Sequence, residues 1–177
     1  MLREFVPKTT NVGLLGNPTN PHSTLNSPDR LRDMHEAARK FGLELHIVRA
    51  SEERDFAIAF DTLVERGAGG IVIAGDIFFN TRIEQIARLA LRHAMPAIYY
   101  MREFAEAGGL MSYGTNFTDI HRQLANYVVK ILKGAKPVNL PVEQASKYEL
   151  VINLTTAKAL GIAVPPILRT LANDVIE

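Results

Sequence analysis

The feature that most constrains the fold is a regular alternation of short apolar segments with longer helical patterns in the first hundred residues. The apolar segments are predicted strands at residues 11–16, 43–48, 70–74 and 97–100. Between them, apolar residues recur every three or four positions, as they do in helices that bury one face. Strands that are apolar throughout are typical of a parallel sheet covered by helices on both faces. The sequence therefore predicts an α/β fold of this type.

Capping signals mark the ends of the predicted helices. Ser27 followed by Pro28 is a typical helix start, and Gly42 is a typical stop. Asn80 is predicted to cap the helix that follows the third strand. Four strands and three helices thus account for the chain up to about residue 100.

The pattern changes after Gly109. A fifth strand is predicted at 110–113, and an amphipathic helix with apolar residues from Ile120 to Leu132 follows it. A proline-containing connector, a strand at 148–153, a short helix at 155–160 and a final helix complete the prediction.

Composition excludes several classes of function. Twenty Lys and Arg against nineteen Asp and Glu leave a formal charge of +1, which provides no field toward nucleic acid or an anionic membrane. The absence of cysteine excludes disulfides, thiolate zinc sites and cysteine nucleophiles. The five histidines are scattered without metal-ligand spacing, so no metal or other cofactor is expected. The first residues lack the apolar stretch of a secretory signal, and a chain with this start is expected to stay in the cytoplasm.

Candidate binding residues follow the predicted strands, because ligands of parallel sheets bind beyond the carboxyl ends of the strands. Asn17 and Asn20 follow the first strand and carry amides that exchange hydrogen bonds with polar groups. Asp76 ends the third strand and suits a solute ammonium, while the ring of Phe79 suits stacking on an apolar solute. Arg102 follows the fourth strand and suits a solute carboxylate.

Each candidate also has a structural interpretation. Asn17 and Asn20 are residues that turns favour. Asp76 suits a backbone cap, Phe79 suits the core, and Arg102 suits an ordinary surface position.

Several blocks of sequence, in order and spacing, resemble the ABC transporter substrate-binding family related to tryptophan and tyrosine binders. They are residues 75–80, 108–114, 131–137, 149–154 and 157–161. The resemblance covers nearly the whole chain. Gly16, Ile77, Tyr100 and Met101 depart from the residues that relatives usually carry.

The resemblance implies a periplasmic-binding-protein type I-like architecture, with two parallel-sheet lobes joined by a hinge and a small organic solute, such as an amino acid, held between them. It implies export to the periplasm or tethering outside the membrane, and delivery of the solute to ABC permease subunits. Residues 1–112 would form the second lobe, and residues 113–177 the hinge-crossing helix, a strand and the C-terminal helices. Most of the first lobe would then be missing.

The same resemblance makes Tyr113 part of the hinge motif, where it is expected to line the cleft, and gives Gly114 a backbone role. The helix over 120–132 would pack on the absent first lobe. Because its apolar face would otherwise lie exposed, a homodimer is expected.

Alternative functions are a small α/β enzyme, a receiver-type signalling domain, and an inert truncated fragment. Asp76 occupies the place of a phosphoacceptor, but the loop 17–20 has no carboxylate to hold magnesium. The sequence contains no nucleophile elbow, paired carboxylates or histidine-centred arrangement. A solute-binding module is the interpretation that these patterns favour.

Overall fold

The computed structural model describes residues 1–143 and 147–177, and its framework is one mostly parallel sheet. The strands are β1 (Asn11–Gly16), β2 (Glu44–Arg49), β3 (Ile71–Ile73), β4 (Ala97–Tyr99), β5 (Met111–Thr115), β6 (Tyr148–Asn153) and β7 (Asp174–Ile176). Their order across the seven-stranded sheet is β2-β1-β3-β4-β5-β6-β7. All neighbouring pairs are parallel except β5 and β6, which are antiparallel. The predicted α/β fold is confirmed.

Nine α-helices connect or flank these strands in the described residues. They are α1 (Leu2–Phe5), α2 (Pro28–Lys40), α3 (Glu53–Glu65), α4 (Ile77–Asn80), α5 (Ile83–Arg92), α6 (Arg102–Glu106), α7 (Phe117–Leu132), α8 (Leu154–Ala159) and α9 (Pro166–Leu171). Two short 3-10 helices lie at Thr24–Asn26 and Pro137–Asn139.

Helices pack on both faces of the sheet, because successive strand residues point to opposite sides. One face buries Ile71 and Tyr99 against aromatic and aliphatic side chains of α3, α5 and α6, among them Phe56 and Phe104. The other face buries Met111 and neighbouring strand residues against α1, α8 and α9. The two cores thus cover opposite faces of the sheet.

The structure corrects the predicted start of the helix after β3. Asp76, not Asn80, is the capping residue, since a carboxylate oxygen of Asp76 accepts a hydrogen bond from the backbone N–H of Phe78 at 2.8 Å. Asn80 instead ends the short helix α4, and α5 begins after a break at Thr81 and Arg82. Strand β7 was not predicted, because the sequence interpretation ended at the final helix, which the structure has as α9.

Helix α7 has few side chains of other elements packed against it. Asp119 is its only buried residue, and the apolar side chains of Leu124, Val128 and Leu132 are exposed. The expected domain boundary between residues 112 and 113 falls inside β5. Within the part of the chain that the structure describes, no helix combines the length and the apolar character needed to cross a membrane.

Candidate functional site

A nearly buried carboxylate lies at the carboxyl edge of the sheet, the edge formed by the loops after β1, β3 and β4. Asp76 is 6% exposed. Its Oδ1 accepts a hydrogen bond from Asn17 Nδ2 at 3.2 Å, and its Oδ2 accepts one from Asn20 Nδ2 at 2.7 Å. Three of the residues predicted from the sequence are therefore in direct contact.

The sheet topology explains why residues 56 to 59 positions apart meet. β1 and β3 are parallel neighbours with Leu15 opposite Ile73, so the loops that follow them start side by side. The asparagines also shape their own turn. Asn17 Oδ1 accepts from Thr19 N at 3.0 Å, and Asn20 Oδ1 accepts from His22 N at 2.9 Å.

These contacts leave part of the hydrogen-bonding capacity free. Each amide nitrogen carries two hydrogens, and within the described residues each donates only one of them, to Asp76. Oδ2 of Asp76 accepts from Asn20 alone in the same residues, whereas Oδ1 accepts from both Asn17 and Phe78. One carboxylate lone pair of Asp76 and two amide hydrogens of the asparagines therefore have no partner in the described residues.

Tyr100 and Asn80 adjoin this cluster and were absent from the predicted site. The Tyr100 hydroxyl donates a hydrogen bond to Asn80 Oδ1. Burial raises the pKa of Tyr100, and the hydrogen bond to Asn80 opposes that shift. Both residues follow strands of the parallel sheet. The sequence shows this position, but their neighbours in the same loops share it, so it did not distinguish Tyr100 and Asn80.

The adjacent rings of Phe78 and Phe79 have different environments. Phe79 is fully buried and packs against Phe56, which corrects the expectation that it contacts a solute. Phe78 is partly buried and also stacks on Phe56, with the Arg82 guanidinium 5.8 Å from its ring centroid. Packing into the core thus decides which ring faces inward.

Arg102 is held by three carboxylates. Its Nε donates to Glu106 at 2.8 Å, Nη1 to Glu149 at 2.5 Å and Nη2 to Asp174 at 2.7 Å. Hydrogen bonds to Glu106 and Asp174, together with the charge of Glu149, raise the pKa of Arg102. Since all three nitrogens already have anionic partners, the structure places Arg102 in a structural network and not facing a free anion.

Tyr113 lies on β5 and is half exposed. Its ring stacks on Tyr148 of the neighbouring strand, with centroids 5.8 Å apart and an interplanar angle of 19°. The next residue, Gly114, approaches the backbone of Tyr100 so closely that an added Cβ would lie 1.9 Å from the Tyr100 carbonyl oxygen. The strand therefore tolerates only glycine at position 114.

Known proteins resemble this chain along nearly its full length. The family model described as "ABC transporter substrate binding protein" matches residues 1–176. A tyrosine-binding protein of Clostridioides difficile strain R20291 is 21% identical over 160 residues, covering 90% of this chain and 45% of that protein.

Solved structures are also similar to this chain along nearly its full length. A conserved domain protein from Vibrio cholerae superposes with a TM-score of 0.84 at 27% identity, covering 98% of this chain and 57% of that one. An ABC domain from Streptococcus pneumonia in complex with L-Trp superposes with a TM-score of 0.82 at 23% identity, covering 99% of this chain and 59% of that one. This chain thus spans about half of each of these relatives. The chain belongs to the ABC transporter substrate-binding protein family.

Proposed function

We propose that this chain forms one wall of a binding site for a small organic solute with a cationic, hydrogen-bond-donating end, such as an amino acid. The observation that carries the proposal is the carboxylate of Asp76, held at the carboxyl edge of the sheet by the amides of Asn17 and Asn20. Its remaining acceptor position suits an ammonium group, because hydrogen bonds between charged partners are the strong ones.

The surroundings of Asp76 suit the apolar body of such a solute. Ile77 is 81% exposed beside the carboxylate, although it is a large apolar side chain. Burying it against a solute would remove apolar surface from water. The similarity to a tyrosine-binding protein and to a domain solved with L-Trp makes aromatic amino acids the first solutes to test.

A binding role, with no catalytic role, fits a family of substrate-binding proteins. Delivery of the solute to ABC permease subunits and a location in the periplasm or outside the cell are part of the same proposal. So is the division at residue 112, with residues 1–112 as one lobe and 113–177 as the hinge-crossing helix, a strand and the C-terminal helices. Tyr113, half exposed at that junction, is proposed to line the cleft.

A ligand titration that is monitored through the amide NMR signals tests the proposal, because this method detects weak binding. The probes are L-tryptophan, tryptamine, which lacks the carboxylate, and indole-3-propionate, which lacks the amine. We expect L-tryptophan and tryptamine to shift the amide signals of residues 17–20 and 76–80. Asp76→Asn should weaken tryptamine binding about ten-fold, because the charge-assisted hydrogen bond is lost.

The matched control is Asp61→Asn on α3, an exposed carboxylate that pairs with His93 and not with this cluster. This substitution should leave the affinities for L-tryptophan and for tryptamine unchanged. Binding of indole-3-propionate with the same strength and at the same residues as tryptamine would contradict an ammonium site at Asp76.

We also propose that a second copy of the chain covers the exposed apolar stripe of α7. The stripe consists of Leu124, Val128, Ile131 and Leu132, each at least 42% exposed. Residues three and four apart on a helix lie on one face, so these side chains form a continuous apolar surface. Antiparallel packing of two such helices would bury both stripes at once.

The mass of the purified chain in light scattering tests the dimer. We expect a mass near twice 19.6 kDa, and Val128→Glu should reduce it to that of the monomer. Glu143→Gln, outside the stripe, should leave the dimer intact. A monomer at all accessible concentrations would refute this part of the proposal.

A further inference from the structure

The side chain of Asn26 joins the loop that carries Asn17 and Asn20 to the start of α2. Its Nδ2 donates to the backbone carbonyl oxygens of Pro18 and Asn20, each at 2.8 Å. We infer that Asn26 is a positioning residue of the binding site, which acts by holding the Asn20 amide against Asp76. The inference rests on the proposed function, because the site that Asn26 positions is the proposed ammonium site.

The backbone of this loop has little support of its own. Two of its residues are the prolines Pro18 and Pro21, which have no backbone N–H to donate. Among the described residues, the Pro18 carbonyl accepts from Asn26 alone. The Asn20 carbonyl accepts from Ser23 N at 2.9 Å and from Asn26. Removing the Asn26 amide would therefore release the Pro18 carbonyl and leave the Asn20 carbonyl with one local hydrogen bond.

The contact also determines which end of the Asn26 side chain faces the loop. The carbonyl oxygens of Pro18 and Asn20 can only accept hydrogen bonds, so the amide nitrogen and not the amide oxygen lies against them. This nitrogen carries two hydrogens and serves both carbonyls, which fixes the backbone on either side of Thr19. A side chain without donors cannot make this connection.

Asn26 is itself attached to a regular element of the fold. It ends the 3-10 helix Thr24–Asn26, and the next residue, Ser27, is the N-cap of α2. The Ser27 side chain accepts from Arg30 N at 3.4 Å, and Arg30 Nη1 donates to the His22 carbonyl at 3.2 Å. The start of α2 therefore holds one end of the loop, while β1 holds the other.

A binding loop that is held in place binds more tightly than a mobile one. The apparent affinity for a solute decreases in proportion to the fraction of molecules in which the site is correctly formed. Without the two hydrogen bonds of Asn26, we expect Asn20 to contact Asp76 in about a tenth of the molecules. Because the Asn26 side chain is exposed, its loss should affect the loop and not the core.

The variant Asn26→Ala tests the inference through two NMR measurements. The first is the rate at which the side-chain amide protons of Asn20 exchange with water in the chain without solute. We expect this rate to rise about ten-fold, because the hydrogen bond to Asp76 is formed less often. The second is the affinity for tryptamine, which should fall about ten-fold for the same reason. The melting temperature should change by less than ~2 °C, which separates this effect from a general loss of stability.

Two further variants complete the test. Asn139→Ala is the matched control, because Asn139 is an exposed asparagine that likewise ends a 3-10 helix, Pro137–Asn139, outside this loop. It should change neither the exchange rate of Asn20 nor the affinity for tryptamine. Asn26→Asp keeps the shape of the side chain but places acceptors against two carbonyl oxygens. It should weaken tryptamine binding at least as much as Asn26→Ala, although its negative charge alone would attract a cation.

The outcomes separate this inference from the proposed function. If the native chain binds no tryptamine but Asn26→Ala still accelerates the exchange of the Asn20 amide, Asn26 keeps its positioning role and the ammonium site is rejected. An Asn20 exchange rate that is the same in Asn26→Ala and in the native chain would overturn the inference. Tryptamine binding that is as strong in Asn26→Ala as in the native chain, or stronger in Asn26→Asp, would also overturn it.

Discussion

Arg102 Nη1 lies 2.5 Å from Glu149 Oε1, which joins the start of α6 to the antiparallel strand β6. Glu149 is also the acceptor for the side chain of Asn116, the N-cap of α7. The ion pair therefore helps to fix how α7 leaves the sheet. Its partners lie 47 positions apart in the sequence, so it stabilises tertiary and not local structure.

Replacing Arg102 by alanine should destabilise the fold by about 1–3 kcal/mol, because Glu149 would lose its cationic partner. The Glu149 side chain is only 15% exposed, so water compensates poorly for the loss. The measurement is urea unfolding followed by circular dichroism.

The matched control for this prediction is Arg88→Ala. Arg88 pairs with Glu84 at 3.5 Å, with both side chains at least 75% exposed. An exposed pair of this kind contributes at most about 0.5 kcal/mol. Equal losses for the two substitutions would show that the Arg102 network adds nothing beyond an ordinary surface charge.

Two residues of α4, Ile77 and Phe79, should lose very different amounts of stability on truncation to alanine. Phe79→Ala should cost about 3–5 kcal/mol in the free energy of unfolding, because the ring is completely buried and leaves a cavity. Ile77→Ala should cost less than about 0.5 kcal/mol, because its side chain is 81% exposed. Thermal unfolding of both variants measures the difference, and similar melting temperatures would contradict the assignment of Phe79 to the core.

Gly114→Ala should prevent normal packing between β4 and β5. The added Cβ would lie 1.9 Å from the Tyr100 carbonyl oxygen, and neither backbone segment moves easily inside a sheet. We expect a loss of about 3 kcal/mol or more, at the upper end of overpacking effects. Gly75→Ala is the control, since its Cβ would have its nearest contact with the Tyr100 ring at 3.5 Å. Unfolding curves that coincide for the two variants would refute the prediction.

The hydrogen bond from Lys147, at 2.8 Å, holds the pKa of Asp119 below its usual value. A carboxyl group with a lower pKa in the folded protein stabilises the fold at pH values above its ordinary pKa of about 3.9. That stabilisation is lost as the pH falls from there through the lower folded value. An NMR titration of the Asp119 carboxyl carbon should show the low pKa in the native chain and a higher one in Lys147→Met.

The control for the titration is Lys158→Met on α8, a residue that does not contribute to the Asp119 shift. An unchanged Asp119 pKa in Lys147→Met would contradict the assigned cause.

The sequence alone determined the α/β class, the four parallel strands of the first hundred residues and the family. The physical reason is that apolar periodicity and turn residues are local properties, and each strand of a buried parallel sheet carries its own apolar signal. The position of Asn17, Asn20 and Asp76 at one edge of the sheet was predictable for a related reason. They follow strands, and strands of a parallel sheet all present their carboxyl ends at the same edge.

Only the tertiary structure decided the roles of individual side chains. Phe78 and Phe79 are the same residue type and both pack on Phe56, but only Phe79 is completely buried. In the sequence Arg102 has no evident partner, whereas in the folded chain β6 and β7 bring Glu149 and Asp174 into contact with it. Contacts between residues distant in the chain depend on how the strands pair, and the pairing is a property of the whole sheet.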